Sequence, residues 1–456
     1  MPRSTLIARV LFTLVVILAL WYCWILISAT QQIGGASPAQ QTLGTLPGVR
    51  PRAVAKDCTG VVVTAQGTWL VGRVENEYEQ LAPSGERIDL NGLVAGKPRD
   101  TSQTSVIARL DADGVFKPVA QVSGTACLVT SADGARVVLL TDIYRADDGG
   151  AQNVVFRSDD QGKSWAWLRD GFFPDVSGAA TTITPYFYGK DEVWAWRWAD
   201  DIEPLSGVFY SADGGAHSTP ITVTEPLAVT ADYVRSQHPD IQEWRDSVDQ
   251  LTHVLQVSPQ RAFIWVSQRY WASHPDGKSD NLAFSVTTRV QVQRVAGQWQ
   301  VENLQRDNGL YISELADNGA GRVIGLIDQG SSGRTLVAEL DTGSLAWKPL
   351  GELPNVFSPL PAKTRAFGLW VGRNSLLVNT YSGHRPPRWL YWWSEANISA
   401  DAVFYSQDWG QSWKRLALDG YMGVRGFEGK SDRVIWSQQD YGADTVLNTY
   451  RLHQTP

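Results

Sequence analysis

The sequence predicts an all-β protein built from seven repeated four-stranded units, set behind one apolar N-terminal helix. Three observations carry that expectation. The composition favours strands and turns: of 456 residues, 20 are Trp, 41 are Gly and 22 are Pro, while only 19% are charged. Trp, Tyr, Val and Thr suit a pleated, half-buried surface. A short phrase, Ser-x-Asp-x-Gly-x-Ser-Trp, recurs along the chain. Residues 10–27 form an unbroken run without a charge.

The repeated unit begins with a short apolar strand and a Gly or Asp turn. A second strand rich in Val and Trp follows, then a variable stretch, a third strand, a tight turn and a fourth strand. Second strands are expected at 68–71, 136–140, 192–196, 262–266, 322–326, 375–378 and 433–436. Third strands are expected at 105–108, 154–156, 207–210, 290–292, 335–338, 403–405 and 445–447. Looser turns at 110–114, 296–299 and 341–347 occupy the slot between third and fourth strands. The last unit ends soon after its third strand, and a segment near 52–55 is the expected donor of its outer strand. A missing partner would leave an open sheet edge.

The recurring phrase stands at Ser158, Asp160, Gly162 and Trp165, and again at Ser406, Asp408, Gly410 and Trp413. A third copy keeps Ser211, Asp213 and Gly215 but has no Trp. An Asp carboxylate can accept hydrogen bonds from the amides of its own turn. Gly takes a positive φ that a Cβ disfavours. This pattern resembles the Asp-box of sialidase-like (BNR-repeat) β-propellers. The resemblance implies a seven-bladed β-propeller of four-stranded blades, within the usual range for such folds. It implies a structural role for the boxes, because each Asp is already used within its turn. It covers the propeller and its boxes only. The Arg-Ile-Pro motif of sialidases is not in this sequence, and no catalytic residue is assigned.

The run at 10–27 is long enough to cross a hydrocarbon core of ~30 Å. Arg3 and Arg9 precede it, and no Lys or Arg follows until Arg50. The positive-inside rule then makes 1–9 a cytoplasmic tail and places the rest outside. Trp21, Tyr22 and Trp24 are interfacial aromatics on this reading. An uncleaved signal anchor is expected, with cleavage near Ile27-Ser28-Ala29 as the competing reading. The excess of Arg over Lys points to a bacterial genome, hence an inner-membrane protein with a periplasmic domain. Residues 28–56, with Gly, Pro and Gln, read as a stalk, and 57–456 as the propeller. Cys58 and Cys127 open similar strands in the exported part. They read either as a disulfide between neighbouring blades or as two buried thiols.

Strand alternation puts the third-to-fourth and first-to-second turns at one end of the blades. The second-to-third and blade-to-blade loops lie at the other, and there the long stretches fall: 74–104, 142–152, 169–180, 224–249, 267–282, 351–365 and 381–400. Binding usually resides in long loops on a rigid scaffold. A helix is expected after Pro239, with Ile241, Trp244, Val248 and Leu251 on one apolar stripe. The most unusual loop carries Arg385, Arg388, Trp389, Tyr391, Trp392 and Trp393, and Trp271 sits in a smaller echo at 268–271. Trp, Tyr and Arg are the preferred anchors of binding hot spots. The competing reading packs these rings inside the propeller.

The net charge of −7 argues against a nucleic-acid partner. No metal-ligand spacing is present, so neither metal nor cofactor is expected. The function expected is a membrane-anchored propeller that binds a protein partner, as an assembly factor, an inhibitor or immunity-like protein, or an envelope scaffold. The alternative is a glycan-binding or glycoside-hydrolysing propeller. That chemistry would need two paired carboxylates, and Asp200, Asp201, Glu203, Asp276 and Glu395 fall on the long-loop side.

Overall fold

The computed structural model describes residues 3–31, 41–46, 60–64, 66–75, 87–94, 103–124, 126–131, 133–144, 151–168, 183–197, 208–222, 229–239, 244–272, 282–318, 321–329, 334–387, 398–418, 421–428, 431–438 and 445–452. The chain is a seven-bladed β-propeller preceded by one apolar helix. It divides into two compact units. One holds Met1–Pro38 and Ile312–Asp419, the other Ala39–Tyr311 and Gly420–Pro456.

The helix α1 (Arg3–Thr30) and the strand β1 (Gln41–Leu46) come first. Blade 1 contains β2 (Val61–Thr64), β3 (Gly67–Glu75), β4 (Ile88–Asp89), β5 (Gln103–Leu110) and β6 (Phe116–Ser123). Blade 2 contains β7 (Ala126–Thr130), β8 (Val137–Tyr144), β9 (Ala151–Ser158) and β10 (Ala166–Trp167). Blade 3 contains β11 (Ile183–Tyr188), β12 (Glu192–Arg197), β13 (Val208–Ser211) and β14 (Thr219–Pro220). The short helix α2 (Ala231–Gln237) precedes blade 4, which contains β15 (Trp244–Ser258), β16 (Arg261–Ala272), β17 (Leu282–Val295) and β18 (Gln298–Asn308). Blade 5 contains β19 (Tyr311–Asp317), β20 (Val323–Asp328), β21 (Thr335–Leu340) and β22 (Trp347–Glu352). Blade 6 contains β23 (Lys363–Val371), β24 (Leu376–His384), β25 (Ile398–Ser406) and β26 (Lys414–Leu416). Blade 7 contains β27 (Tyr421–Glu428), β28 (Arg433–Gln438) and β29 (Thr445–Arg451), with β1 as its outer strand.

Each expected second strand overlaps the second strand of a blade, and each expected third strand overlaps a third. Four expectations are corrected. The outer strand of blade 7 is β1, upstream of 52–55, so the stretch read as a stalk contains a strand with Leu46 fully buried. Residues 244–251 are not helical. They open β15, which pairs with β16 from Trp244 to Ser258, and this pairing overrides the local apolar stripe. The helix lies before Pro239 instead, capped by the Thr230 hydroxyl, which accepts from the Tyr233 amide. Stretches expected as loops at 267–272 and 381–384 are strand, because blade 4 and blade 6 extend further. Blade 1 also carries an extra strand, β4, parallel to β6.

Within the larger unit, Trp69, Ile107 and Val122 of blade 1 pack on Leu139, Phe156 and Trp165 of blade 2. Trp194 and Tyr210 of blade 3 pack on Ile264, Val290 and Trp299 of blade 4. In the smaller unit, Ile324 and Val337 of blade 5 pack on Leu369, Val378 and Phe404 of blade 6. Burial of such side chains stabilises each junction by about 1.5–3 kcal/mol per residue.

Helix α1 docks on blade 6. Leu26 and Ala29 are buried against Phe357 and Ala400, with Tyr22 and Ile398 beside them. The Tyr22 hydroxyl lies 3.0 Å from His384 Nε2, and His384 Nδ1 lies 2.7 Å from the Pro361 carbonyl. Arg415 donates to the carbonyls of Ser28 at 3.2 Å and Ala29 at 2.9 Å. Those oxygens lack intrahelical partners at a helix C-terminus, where a cation is favoured. Residues Arg9–Thr30, with a mean hydropathy of 2.7, are long and apolar enough to cross a membrane.

Candidate functional site

At the turn end of the blades, side chains are consumed by structure. The buried Ser158 hydroxyl accepts from Gly162 N at 2.7 Å and donates to Asp160 Oδ1 at 2.9 Å. Asp160 also takes the Ser164 amide at 2.8 Å and hydroxyl at 2.6 Å. Ser406, Asp408, Gly410 and Ser412 repeat this arrangement. In the third copy Ser211, Asp213 and Gly215 do the same, and the His217 ring replaces the hydroxyl, 2.7 Å from Asp213 Oδ2. The Ser164 hydroxyl holds Asp160 below the usual carboxylate range, and the Ser412 hydroxyl and amide hold Asp408 at about 2. For Asp213, desolvation opposes the His217 amide and ring, which still carry its pKa below the ordinary value.

Each of these turns leans on the preceding blade. A Cβ on Gly162 would lie 2.8 Å from the Trp69 ring, and the Trp165 indole donates to Gly162 O at 3.2 Å. Arg136 reaches Asp159 and Asp191, both at 2.6 Å, and Arg157 donates to Asp213 O at 2.9 Å. Trp413 donates to Glu352 O at 3.0 Å. A turn that sequence reading missed, with Ser131 donating to Asp133 at 2.5 Å, lies between β7 and β8. Its text, Ser131-Ala132-Asp133-Gly134, repeats Ser211-Ala212-Asp213-Gly214, so the signal was there. Beneath the turns of blades 3 and 4, Glu192 takes Arg294 at 2.6 Å and Gln256 at 2.5 Å. Gln256 in turn accepts from the Trp194 indole at 2.7 Å. Burial, then the Glu192 carboxylate, push the Tyr210 phenol up to about 12.

The other end of blade 4 is differently made. Along β16, alternate side chains face opposite ways. Gln268 and Tyr270 clamp Val229: the Gln268 carboxamide accepts from Val229 N at 2.6 Å, and Tyr270 donates to Val229 O at 2.6 Å. This seats α2, whose Tyr233 donates to Asn308 at 3.3 Å and lies under the Arg306 guanidinium. Arg269 and Trp271 take the opposite face. Arg269 is only 5% exposed, and its guanidinium lies 3.9 Å from the Tyr311 ring centroid and 5.8 Å from that of Trp271. Ser267 and Thr287 pair at 2.9 Å on the adjoining strands. Arg269 and Tyr311 are both buried, and Trp271 is the part-exposed member of the cluster.

Of the residues read from sequence as binding anchors, Trp271 lies at this cluster, half-buried. Arg385 lies just past β24, exposed. Arg388, Trp389, Tyr391, Trp392 and Trp393 lie outside the described residues, as do Asp200, Asp201, Glu203, Asp276 and Glu395. Cys127 is disulfide-bonded and Cys23 is free, while Cys58 lies outside the described residues. Among the described residues no group of three or more His, Cys, Asp or Glu could hold a metal ion. The central part of Arg269 in the cluster was not legible, because nothing local signals that Tyr311 lies over it.

No family model matches the chain, and no curated protein matches it. Among solved structures it is similar to a puromycin hydrolase at 10% identity, TM-score 0.42, over 88% of this chain and 53% of that one. The chain thus spans about half the length of that hydrolase. It is similar to an α-L-arabinofuranosidase from Fusarium graminearum at 11% identity, TM-score 0.36, over 79% of this chain and 97% of that one. It is also similar to an α-L-arabinanase from Penicillium chrysogenum at 11% identity, TM-score 0.36, over 92% of this chain and all 100% of that one. At such identities the residues that act in those proteins carry nothing over to this chain.

Proposed function

We propose that this chain is a membrane-anchored propeller whose blades lie on the periplasmic side of a bacterial inner membrane, and that it binds a protein partner at the end opposite the Ser-Asp turns. The turns are read as Asp-boxes and assigned to architecture. The observation that carries the proposal is the cluster of Arg269, Trp271 and Tyr311, because Arg and aromatic side chains held rigidly together are the usual anchors of binding. Retention of α1 is supported by its burial: Ala29, in the competing cleavage site, is 1% exposed against blade 6.

The test is capture of the full-length protein from its own membranes beside Arg269→Lys and Trp271→Ala variants whose thermal melts match the parent. Arg269→Lys keeps the charge but loses the planar stacking group. A near-stoichiometric protein that is lost with both variants is the expected result. Absence of a partner, with retention of the parent but not the variants on a glycan panel, replaces this reading with the glycan-binding one.

A further inference from the structure

The direction in which α1 meets blade 6 fixes which end of that blade lies nearest the membrane. Tyr22 contacts His384, which ends β24 and pairs with Ile398 at the start of β25. The second-to-third loop leaves from this end. Further along α1, the Ser28 and Ala29 carbonyls accept from Arg415. Arg415 pairs with Phe404, close to the turn that begins at Ser406. At ~3.3 Å per strand residue, Ile398 and Phe404 are roughly 20 Å apart along β25. The last turns of α1 therefore run along the blade from the His384 end toward the turn end. The rest of the helix, continuous from Arg3, leaves past His384.

We propose that the His384 end of blade 6 is seated in the headgroup zone of the bilayer, with the lipid surface as its occupant. The proposal rests on the reading of α1 as a membrane anchor. The uncharged part of the helix that clears the blade, from Val10 to Trp21, spans roughly 18 Å at ~1.5 Å per residue. A hydrocarbon core measures ~30 Å. Arg9 can snorkel toward the cytoplasmic surface and recover part of the difference. The remainder is recovered by lipid rising around the first docked turn, where Tyr22 meets the blade.

The side chains at that level have the chemistry of an interface. Trp21 and Trp24 are 46% and 57% exposed on the helix, and Arg385 is exposed just beyond His384. Aromatic rings and basic groups are what interfacial belts are made of. The clamp is rigid: His384 is 2% exposed and fixed on both ring nitrogens, and Arg415 holds the other end of the contact.

The test uses the full-length chain with Cys23→Ser, reconstituted into vesicles of phosphatidylethanolamine and phosphatidylglycerol. One environment-sensitive label is placed at Arg385→Cys, and in a second protein at Gln411→Cys, in the exposed turn at the opposite end of blade 6. Lipids carrying a nitroxide near the headgroup serve as quencher. The expected result is several-fold stronger quenching at position 385 than at 411. Equally weak quenching at both, in protein that resists alkaline extraction, overturns the proposal and leaves the anchor standing. Protein released by alkali without detergent overturns the anchor reading itself. Quenching at 385 that appears only after a co-purified protein is stripped away makes that protein the occupant and overturns the lipid assignment.

Discussion

The guanidinium of Arg322, the residue before β20, lies 3.5 Å from the centroid of the Trp409 ring in the turn that follows β25. Glu339 holds it there, with Nη2 and Nε each 2.9 Å from a carboxylate oxygen. Blades 5 and 6 are thereby joined by a cation, a ring and a carboxylate. Trp409 adopts φ +61, a left-handed conformation that disfavours a side chain. Stacking on Arg322 offsets that cost.

Arg322→Ala and Trp409→Ala are expected to be non-additive. A double-mutant cycle on thermal or denaturant unfolding should give a coupling of about 0.5–2 kcal/mol. Trp409→Gly should lose less stability than Trp409→Ala, since glycine relieves the backbone. Additive single variants would mean that the ring and the cation contribute separately.

Acid should weaken the turn at Asp408. Its carboxyl is held at about 2 by the Ser412 hydroxyl and amide and by Ser406, against ~3.9 in an unfolded chain. A depressed folded pKa gives stability that is complete above the unfolded value and is lost as pH falls through the folded one. Asp408→Asn should therefore melt below the parent at pH 7, and the gap should narrow as pH falls from about 5 toward 2. A gap that stays constant would show that the turn depends on shape rather than on charge.

Cys127 is expected to pair with Cys58. Non-reducing peptide mapping of the membrane-extracted protein should recover one linked peptide pair. Cys127→Ser should lower stability by about 2–4 kcal/mol. Recovery of an unlinked Cys58 peptide would rule the pairing out.

An N-terminal tag should remain on the mature protein, because Leu26 and Ala29 in the last turns of α1 are buried against blade 6. Immunoblots of membranes should give one band bearing both N- and C-terminal tags. Tyr22→Ala with Arg415→Ala should free the helix without releasing the protein, and protease should then cut between α1 and the blades. An unchanged digestion pattern would mean that the contact adds no protection.

The strands were legible in the sequence for a physical reason. Residues such as 192–196 and 433–436 combine β-branched and aromatic side chains with turn residues on either side, so local chemistry and tertiary pairing agree. Trp244 to Leu251 failed because a helical stripe can be overridden when a neighbour as long as β16 pairs with the segment, here residue by residue from Val248 onward. β1 failed because its text, Gln41-Thr42-Leu43-Gly44-Thr45-Leu46, is polar and contains Gly, which reads as a spacer. Gly44 is there for close approach: a Cβ would lie 2.6 Å from Leu110 and 2.9 Å from Phe116. Of the candidate site, Trp271 was legible from composition. The stacking of Arg269 on Tyr311 was not, since it joins residues distant in sequence.

The pairing of β1 with β29, Gln41 against Thr449 through Leu46 against Thr445, sets the order in which the chain can mature. A nascent chain presents β1 before any blade and β29 only after six blades have followed it. Throughout that interval β1 has amides and carbonyls in search of a partner, an edge that any passing strand could capture. Contacts between such remote segments form slowly. Folding of this protein therefore includes a waiting period, during which one short strand stands open to whatever shields it.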